Sequence, residues 1–359
     1  MSAPRTADRF ARQVALAGFG PSGQARLEAA RVVVVGAGGL GSALLPVLVA
    51  SGIATVVVVD GDAVDASNLH RQTLHGADDV GTGKAASALA TLGALAPAGT
   101  TLVADPRFVD EASARDVVSA ADLVVDATDS LETRYLLDAA TEAAGVPLVW
   151  GSATGTTGQV GVCLPGSPRW RDLFPARPAD DDVVTCAVGG VLPTLCTTIG
   201  GLMATEVLKV LTGLGRPLAG RLLVVDALAP SVREIAFAAA DPERGKEERP
   251  MAEIENEDVD VQEVAAVLER GDRLQLVDVR EPWEAEIAAL PGATLIPLRS
   301  LGDRLGELDP DVPVITYCHH GTRSADAADL LAAAGFRARS MAGGIDRWSR
   351  RVDDSVPRY

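Results

Sequence analysis

The hydrophobic positions of this chain gather into short, dense runs separated by stretches with helical spacing. Four valines stand at Val32 to Val35 and four more at Val56 to Val59, and apolar runs recur at Leu123 to Val125 and Pro147 to Trp150. Helix-like segments lie between them, and that alternation predicts a mostly parallel, doubly wound α/β sheet. The stretch from Val32 to Val59 carries no charge and is long enough to cross a bilayer. Its glycines and Pro46 divide it instead into strand, turn, helix and second strand. A buried helix is expected over Val191 to Leu211.

A smaller α/β pattern follows. It has a strand at Leu274 to Val277, a loop opening with Asp278-Val-Arg-Glu281, a strand at Val314 to Tyr317, and an alanine-rich helix from about Ser324 to Ala334. Between the two patterns, Asp241-Pro-Glu-Arg-Gly-Lys-Glu-Glu-Arg-Pro250 is charged and bounded by proline, as a solvated linker is. The expected organisation is a first domain over 1–240, a linker over 241–257 and a second domain over 258–359.

Composition narrows the function by exclusion. With 359 residues, 32 Lys plus Arg against 49 Asp plus Glu, and a net charge of -17, the chain repels phosphate backbones and anionic membranes. No basic patch is segregated, so neither nucleic acid nor a membrane is an expected partner. The 4 cysteines, Cys163, Cys186, Cys196 and Cys318, form no C-x-x-C pair, which argues against a disulfide scaffold or a sequence-local zinc site. Cys163 and Cys196 lie in apolar segments and read as small hydrophobes. The opening MSAPRTADRF has no signal or transit pattern, and the cytoplasm is the expected location.

Candidate chemistry begins at Gly36-Ala-Gly-Gly-Leu-Gly41, between the first strand and its helix. Backbone N–H groups and a helix dipole can meet a phosphate there, with no side chains in the way. Asp60 ends the next strand, where a carboxylate can accept hydrogen bonds from ribose hydroxyls; this suits NAD as well as ATP. A strand-ending aspartate in a turn is the plain alternative. Arg71, in Ser67-Asn-Leu-His-Arg-Gln72, and Lys84 supply two cations, which favours a triphosphate over NAD. An NAD-dependent oxidoreductase with a regulatory second domain is the rival reading. Asp126 and Asp129 close the third apolar run, where a carboxylate can hold Mg²⁺; for Asp126 a helix cap is the preferred alternative. His70 and His75 read as structural or solvent-facing.

Together with Arg9-Phe-Ala-Arg-Gln13, Asp60-Gly-Asp62, Asp126-Ala-Thr-Asp129 and Thr185-Cys-Ala-Val-Gly-Gly190, these motifs stand in an order that resembles the ubiquitin-activating-type adenylyltransferases of the MoeB and ThiF family. The resemblance covers roughly residues 5 to 240. It implies a Rossmann-like domain that uses ATP and Mg²⁺ to join AMP to the C-terminal glycine of a ubiquitin-like sulfur carrier protein ending in Gly-Gly. Carried over, Gly36, Gly38, Gly39, Gly41, Asp60, Ser67, Asn68, Arg71, Gln72, Lys84 and Ser130 hold the nucleotide, and Asp129 holds the metal. Arg12 matches an arginine that reaches into a partner subunit, which implies a homodimer. Cys186 matches a cysteine that forms a covalent intermediate or assists sulfur transfer; a loop cysteine without a role is the alternative. Two departures stand out. Arg169-Trp-Arg-Asp172 occupies the place where many members carry a zinc-binding C-x-x-C pair, so no structural zinc is expected. Ser130 replaces a customary asparagine.

Cys318-His-His-Gly-Thr-Arg323 runs from strand to helix, so amides and a helix N-terminus can favour a thiolate or persulfide at the sulfur. Zinc there would need adjacent side chains to converge, which they rarely do. With Asp278-Val-Arg280, Pro291-Gly-Ala293, Ile296-Pro297, Met341-Ala-Gly-Gly-Ile345 and Trp348, the loop resembles the active loop of rhodanese sulfurtransferases over about residues 260 to 350. Related phosphatases and arsenate reductases carry one residue more. The resemblance implies that Cys318 accepts sulfur from a sulfane donor, that Arg323 belongs to the loop, and that the product is a carrier thiocarboxylate. His319 stands where lysine or arginine is frequent and is expected to be partly protonated near neutral pH.

Overall fold

The computed structural model describes residues 9–175, 190–228, 231–239 and 258–358. They divide into two compact units, residues 9–239 in one and 258–358 in the other. The linker expected over 241–257 and the expected nucleophile Cys186 lie outside the described residues.

The first unit is built on an eight-stranded sheet ordered β3-β2-β1-β4-β5-β6-β7-β8. Its strands are β1 (Arg31–Val35), β2 (Thr55–Val59), β3 (Thr101–Asp105), β4 (Leu123–Asp126), β5 (Leu148–Thr154), β6 (Thr157–Cys163), β7 (Arg221–Asp226) and β8 (Ser231–Ala236). β1 to β5 run parallel, and β5 to β8 pair antiparallel. The valine runs of β1 and β2 are buried on both faces, as β-branched residues between two helical layers should be. β3 and the antiparallel half were not among the expected strands. β3 is half-exposed and β8 mostly exposed, so neither carries a dense apolar signal.

The long apolar helix spans Pro193–Thr212, close to expectation; proline opens it and Gly213, at φ 73°, ends it. Among the described residues it alone has the length and hydropathy of a membrane span. Its Leu195, Ile199, Met203 and Val207 are buried in the core with the helix Gly39–Ala50 and with β5 and β6.

The second unit has a parallel sheet ordered β10-β9-β11-β12, from β9 (Gln275–Asp278), β10 (Thr294–Leu295), β11 (Val314–Tyr317) and β12 (Ala338–Ser340). The helix after β11 spans Thr322–Ala333, starting two residues earlier than expected. Helices Val261–Glu269 and Gly344–Arg351 pack on one face around Trp348, and Thr322–Ala333 covers the other around Leu331.

Candidate functional site

In the first unit the site forms at the carboxyl ends of β1, β2 and β4. Gly36 has φ +99°, and a side chain there would meet the Ala127 carbonyl carbon at 2.8 Å, so only glycine lets the loop turn beside the Asp126-to-Asp129 segment. A side chain at Gly41 would strike the Gly36 carbonyl oxygen at 2.2 Å. The loop leads into the helix Gly39–Ala50, whose first amides have no partner within the helix.

Asp60 braces this loop. Its Oδ2 accepts from Ala37 N–H at 2.7 Å and its Oδ1 from Asp62 N–H at 2.9 Å, leaving lone pairs on both oxygens for hydroxyl donors. Burial raises its pKa above the ordinary carboxylate value, outweighing these amide bonds, which lower it. Arg71 and Gln72 lie against the loop: side chains added at Gly39 and Gly38 would meet Arg71 Cγ at 3.7 Å and Gln72 Nε2 at 3.5 Å. Gln72 is buried and its Oε1 has no partner. Lys84 is buried too, with Nζ on Asp62 Oδ2 at 2.8 Å, so its charge is balanced by an exposed carboxylate rather than held free. Ser67 gives its hydroxyl to Asp65 at 2.6 Å, and Asn68 sits half-buried in the same short turn.

Asp129 is exposed at the end of the β4 turn, and Ser130 caps the next helix, Leu131–Ala144, by accepting from Thr133 N–H. Asp126 is therefore not the cap. It is fully buried, paired with Arg134 Nε at 2.6 Å, and accepts from Thr128 N–H and Oγ1. Arg134 also donates to the Thr128 and Gly151 carbonyls, holding the turn that carries Asp129. Sequence reasoning missed Arg134, whose role shows only when the buried partner is seen.

Magnesium commonly takes one or two carboxylates, several waters and the substrate's own phosphates. A single exposed carboxylate at Asp129 fits that demand. The described residues contain no group of three or more His, Cys, Asp or Glu side chains able to hold a metal by themselves.

Arg12 is exposed on the short helix Ala11–Val14. Its neighbour Gln13 donates to the Ser51 carbonyl, just past the end of the helix Gly39–Ala50. That helix is about 18 Å long, so Gln13 sits at the end of it remote from the glycine loop.

His75 is buried, not solvent-facing, and bonds Ala37 and Ser87. Cys163 and Cys196 are buried in apolar surroundings, and burial pushes the Cys163 thiol up to about 12.

In the second unit Cys318 follows β11 directly and is buried. Gly321, at φ +108°, turns the chain so that its N–H donates to Cys318 Sγ at 3.1 Å. The Ser324 hydroxyl lies 3.6 Å from the same sulfur. The Cys318 and His319 carbonyls accept from Ile345 and Asp346 N–H, which ties the loop to the start of the helix Gly344–Arg351. Arg323 makes a two-pronged pair with Glu284, both contacts at 2.7 Å. Below, Arg280 is fully buried and grips both oxygens of Asp278, whose Oδ2 also accepts from Tyr317 O–H.

His319 corrects its expectation. Burial, then the neighbouring His320, holds it down to about 4, so it is neutral near pH 7 rather than partly protonated. The two rings stack with centroids 4.0 Å apart, which is not an arrangement that converges on one metal.

Comparison with known proteins adds three findings. The ThiF family profile matches residues 10–246 and the rhodanese-like domain profile residues 260–351. Among curated relatives, a probable adenylyltransferase/sulfurtransferase MoeZ of Mycobacterium tuberculosis is 37% identical over 98% of this chain and 95% of its own length. A sulfur carrier protein adenylyltransferase of Thermus thermophilus is 47% identical over 64% of this chain and 86% of its own. Among solved structures, Escherichia coli MccB superposes with a TM-score of 0.58 at 18% identity, covering 66% of this chain and 73% of that one, and MccB with ATP at 0.54 and 19%, covering 62% and 68%; at these identities the likeness is one of fold.

Proposed function

The chain belongs to the ThiF family and carries a rhodanese-like domain behind it, and from that premise we propose that it adenylates the C-terminal glycine of a ubiquitin-like sulfur carrier protein and then sulfurates it. The observation that carries this reading is that relatives named adenylyltransferase and sulfurtransferase match both halves of one chain, along 98% of its length. The reported relatives lend no support to the oxidoreductase alternative.

In the first step the carrier carboxylate attacks the α-phosphorus of ATP, forming an acyl-adenylate and releasing pyrophosphate. Two anions must approach, so the chain has to offset their repulsion. Amides of the glycine loop and the helix N-terminus receive phosphate, Asp60 accepts from ribose hydroxyls, and Arg71 with Lys84 supplies positive charge. Lys84 exchanges Asp62 for phosphate as the nucleotide enters. Asp129 holds Mg²⁺, which when bound offsets charge on phosphoryl oxygens. Arg12, next to a residue bonded at the far end of the helix from the glycine loop, serves the site of a second copy in a homodimer.

In the second step Cys318 takes a sulfur atom from a sulfane donor and becomes a persulfide, stabilised by the Gly321 amide and Ser324. The terminal sulfur attacks the acyl-adenylate and expels AMP, giving an acyl disulfide. A second thiol, Cys186 or an external one, attacks the Cys318 sulfur, releasing the carrier thiocarboxylate and leaving a disulfide that another thiol reduces. Such thiol chemistry suits the reducing cytoplasm.

The test pairs carrier-dependent exchange of labelled pyrophosphate into ATP with mass measurement of the carrier. Cys318→Ala is expected to keep exchange and lose thiocarboxylate. No exchange with any Gly-Gly-ended carrier sinks the activation step; full thiocarboxylate from Cys318→Ala sinks the sulfur step.

A further inference from the structure

His75 is only 6% exposed, and both its ring nitrogens are engaged. Nε2 lies 2.8 Å from the Ala37 carbonyl oxygen and Nδ1 2.8 Å from Ser87 Oγ. A carbonyl can only accept, so Nε2 carries the proton; Nδ1 pairs with the Ser87 hydroxyl, which is also hydrogen-bonded to Asp79. Ala37 sits inside the glycine loop, and its own N–H is already given to Asp60 at 2.7 Å. A trans peptide is planar, with its C=O and N–H pointing in opposite directions. Fixing the Ala37 carbonyl on His75 therefore aims the Gly38 N–H away from His75. Gly38 caps the helix Gly39–Ala50, so this N–H belongs to the set that a helix N-terminus offers an anion.

The other partner adds a second link. Ser87 lies in the helix Lys84–Gly93, one turn from Lys84. One imidazole thus joins the turn bearing the phosphate-directed lysine to the peptide bearing the phosphate-directed amide. An apolar side chain could fill the same space but could not orient the peptide.

We propose that His75, held by Ser87, is a positioning residue for the ATP phosphates, acting through the Ala37–Gly38 peptide. This rests on the ATP-dependent reading above. Direct titration of ATP with Mg²⁺ and the KM values for ATP and for carrier in pyrophosphate exchange would be compared among wild type, His75→Leu, His75→Gln and Ser87→Ala. Loss of one such hydrogen bond should weaken ATP binding about tenfold in His75→Leu, with carrier KM unmoved. His75→Gln, whose amide nitrogen can still donate to Ala37, should recover most of that loss, and Ser87→Ala should fall between. His75→Leu that folds and binds ATP like wild type overturns the proposal, as does an equal loss for ATP and carrier in both histidine variants. If His75→Leu does not fold, Ser87→Ala decides, and unchanged ATP affinity there overturns it. Wild type that fails to bind ATP refutes the ATP reading itself.

Discussion

At the residue scale, the sulfur loop shows how burial changes the meaning of a letter. Cys318 and Arg323 were singled out in the sequence by a six-residue strand-to-helix loop together with its resemblance to the rhodanese active loop. The charge state of His319 was not, since it depends on a neighbouring ring and on chains distant in sequence. A histidine whose folded pKa is lowered binds fewer protons than the unfolded chain between about 4 and 6.5, so its contribution to stability falls as pH falls through that window. Glu284 acts in the same direction lower down: burial raises its pKa, but bonds from Arg323 and from Glu281 N–H outweigh that and hold it below its ordinary value. Hydrogen exchange of the full chain should show residues 258–358 losing protection on acidification from pH 7, with a shallower loss in His319→Asn. An identical pH profile would remove His319 from the account. His319→Lys should place a cation beside Cys318 and speed persulfide formation from thiosulfate about fivefold, the effect of roughly 1 kcal/mol of attraction between opposite charges about 4 Å apart in water. An unchanged rate of persulfide labelling would count against the charge argument.

At the element scale, ion pairing and packing hold the loop Arg169-Trp-Arg-Asp172 in place. Asp138, fully buried in the helix Leu131–Ala144, takes Arg169 Nε at 3.0 Å and Arg171 Nε at 2.7 Å. Trp170 packs edge-on to Trp150 and beside Phe174, while Tyr135 donates to the Phe174 carbonyl. Asp138→Asn leaves a buried arginine without its counter-charge and should cost about 3 kcal/mol, read from urea unfolding of the first unit. A chelator should stop pyrophosphate exchange by removing Mg²⁺ yet leave the Tm of the apo protein unchanged; a fall in Tm would point to a structural metal. The lack of cysteines there was visible in sequence, but the pairing with Asp138 was not, because nothing local marks a carboxylate some thirty residues away as the partner. The strands show the same limit. Valine runs announce β1 and β2 because both faces are buried, whereas β3 and β8 are exposed enough to hide among loops.

At the scale of the whole molecule, two units with separate cores divide two chemistries, and the homodimer proposed for the first can be tested through Arg12. Arg12→Ala and Lys84→Ala proteins should each be inactive in exchange. Unfolded together and refolded, they should recover about one quarter of wild-type activity, because half the dimers are mixed and each mixed dimer has one intact site. No recovery would place Arg12 outside the partner's site. What the sequence determined by itself was the succession of two α/β units, the glycine loop, Asp60, and a cysteine at a helix start, all written in short spacings that backbone geometry enforces locally. The tertiary structure decided what depends on chains meeting from afar: Lys84 resting on Asp62, Asp126 spent on Arg134, His319 stripped of its proton by burial, and His75 turned inward to hold the peptide before a helix. Spacing is a property of the backbone, but the partner and charge of a side chain are set by what packs around it.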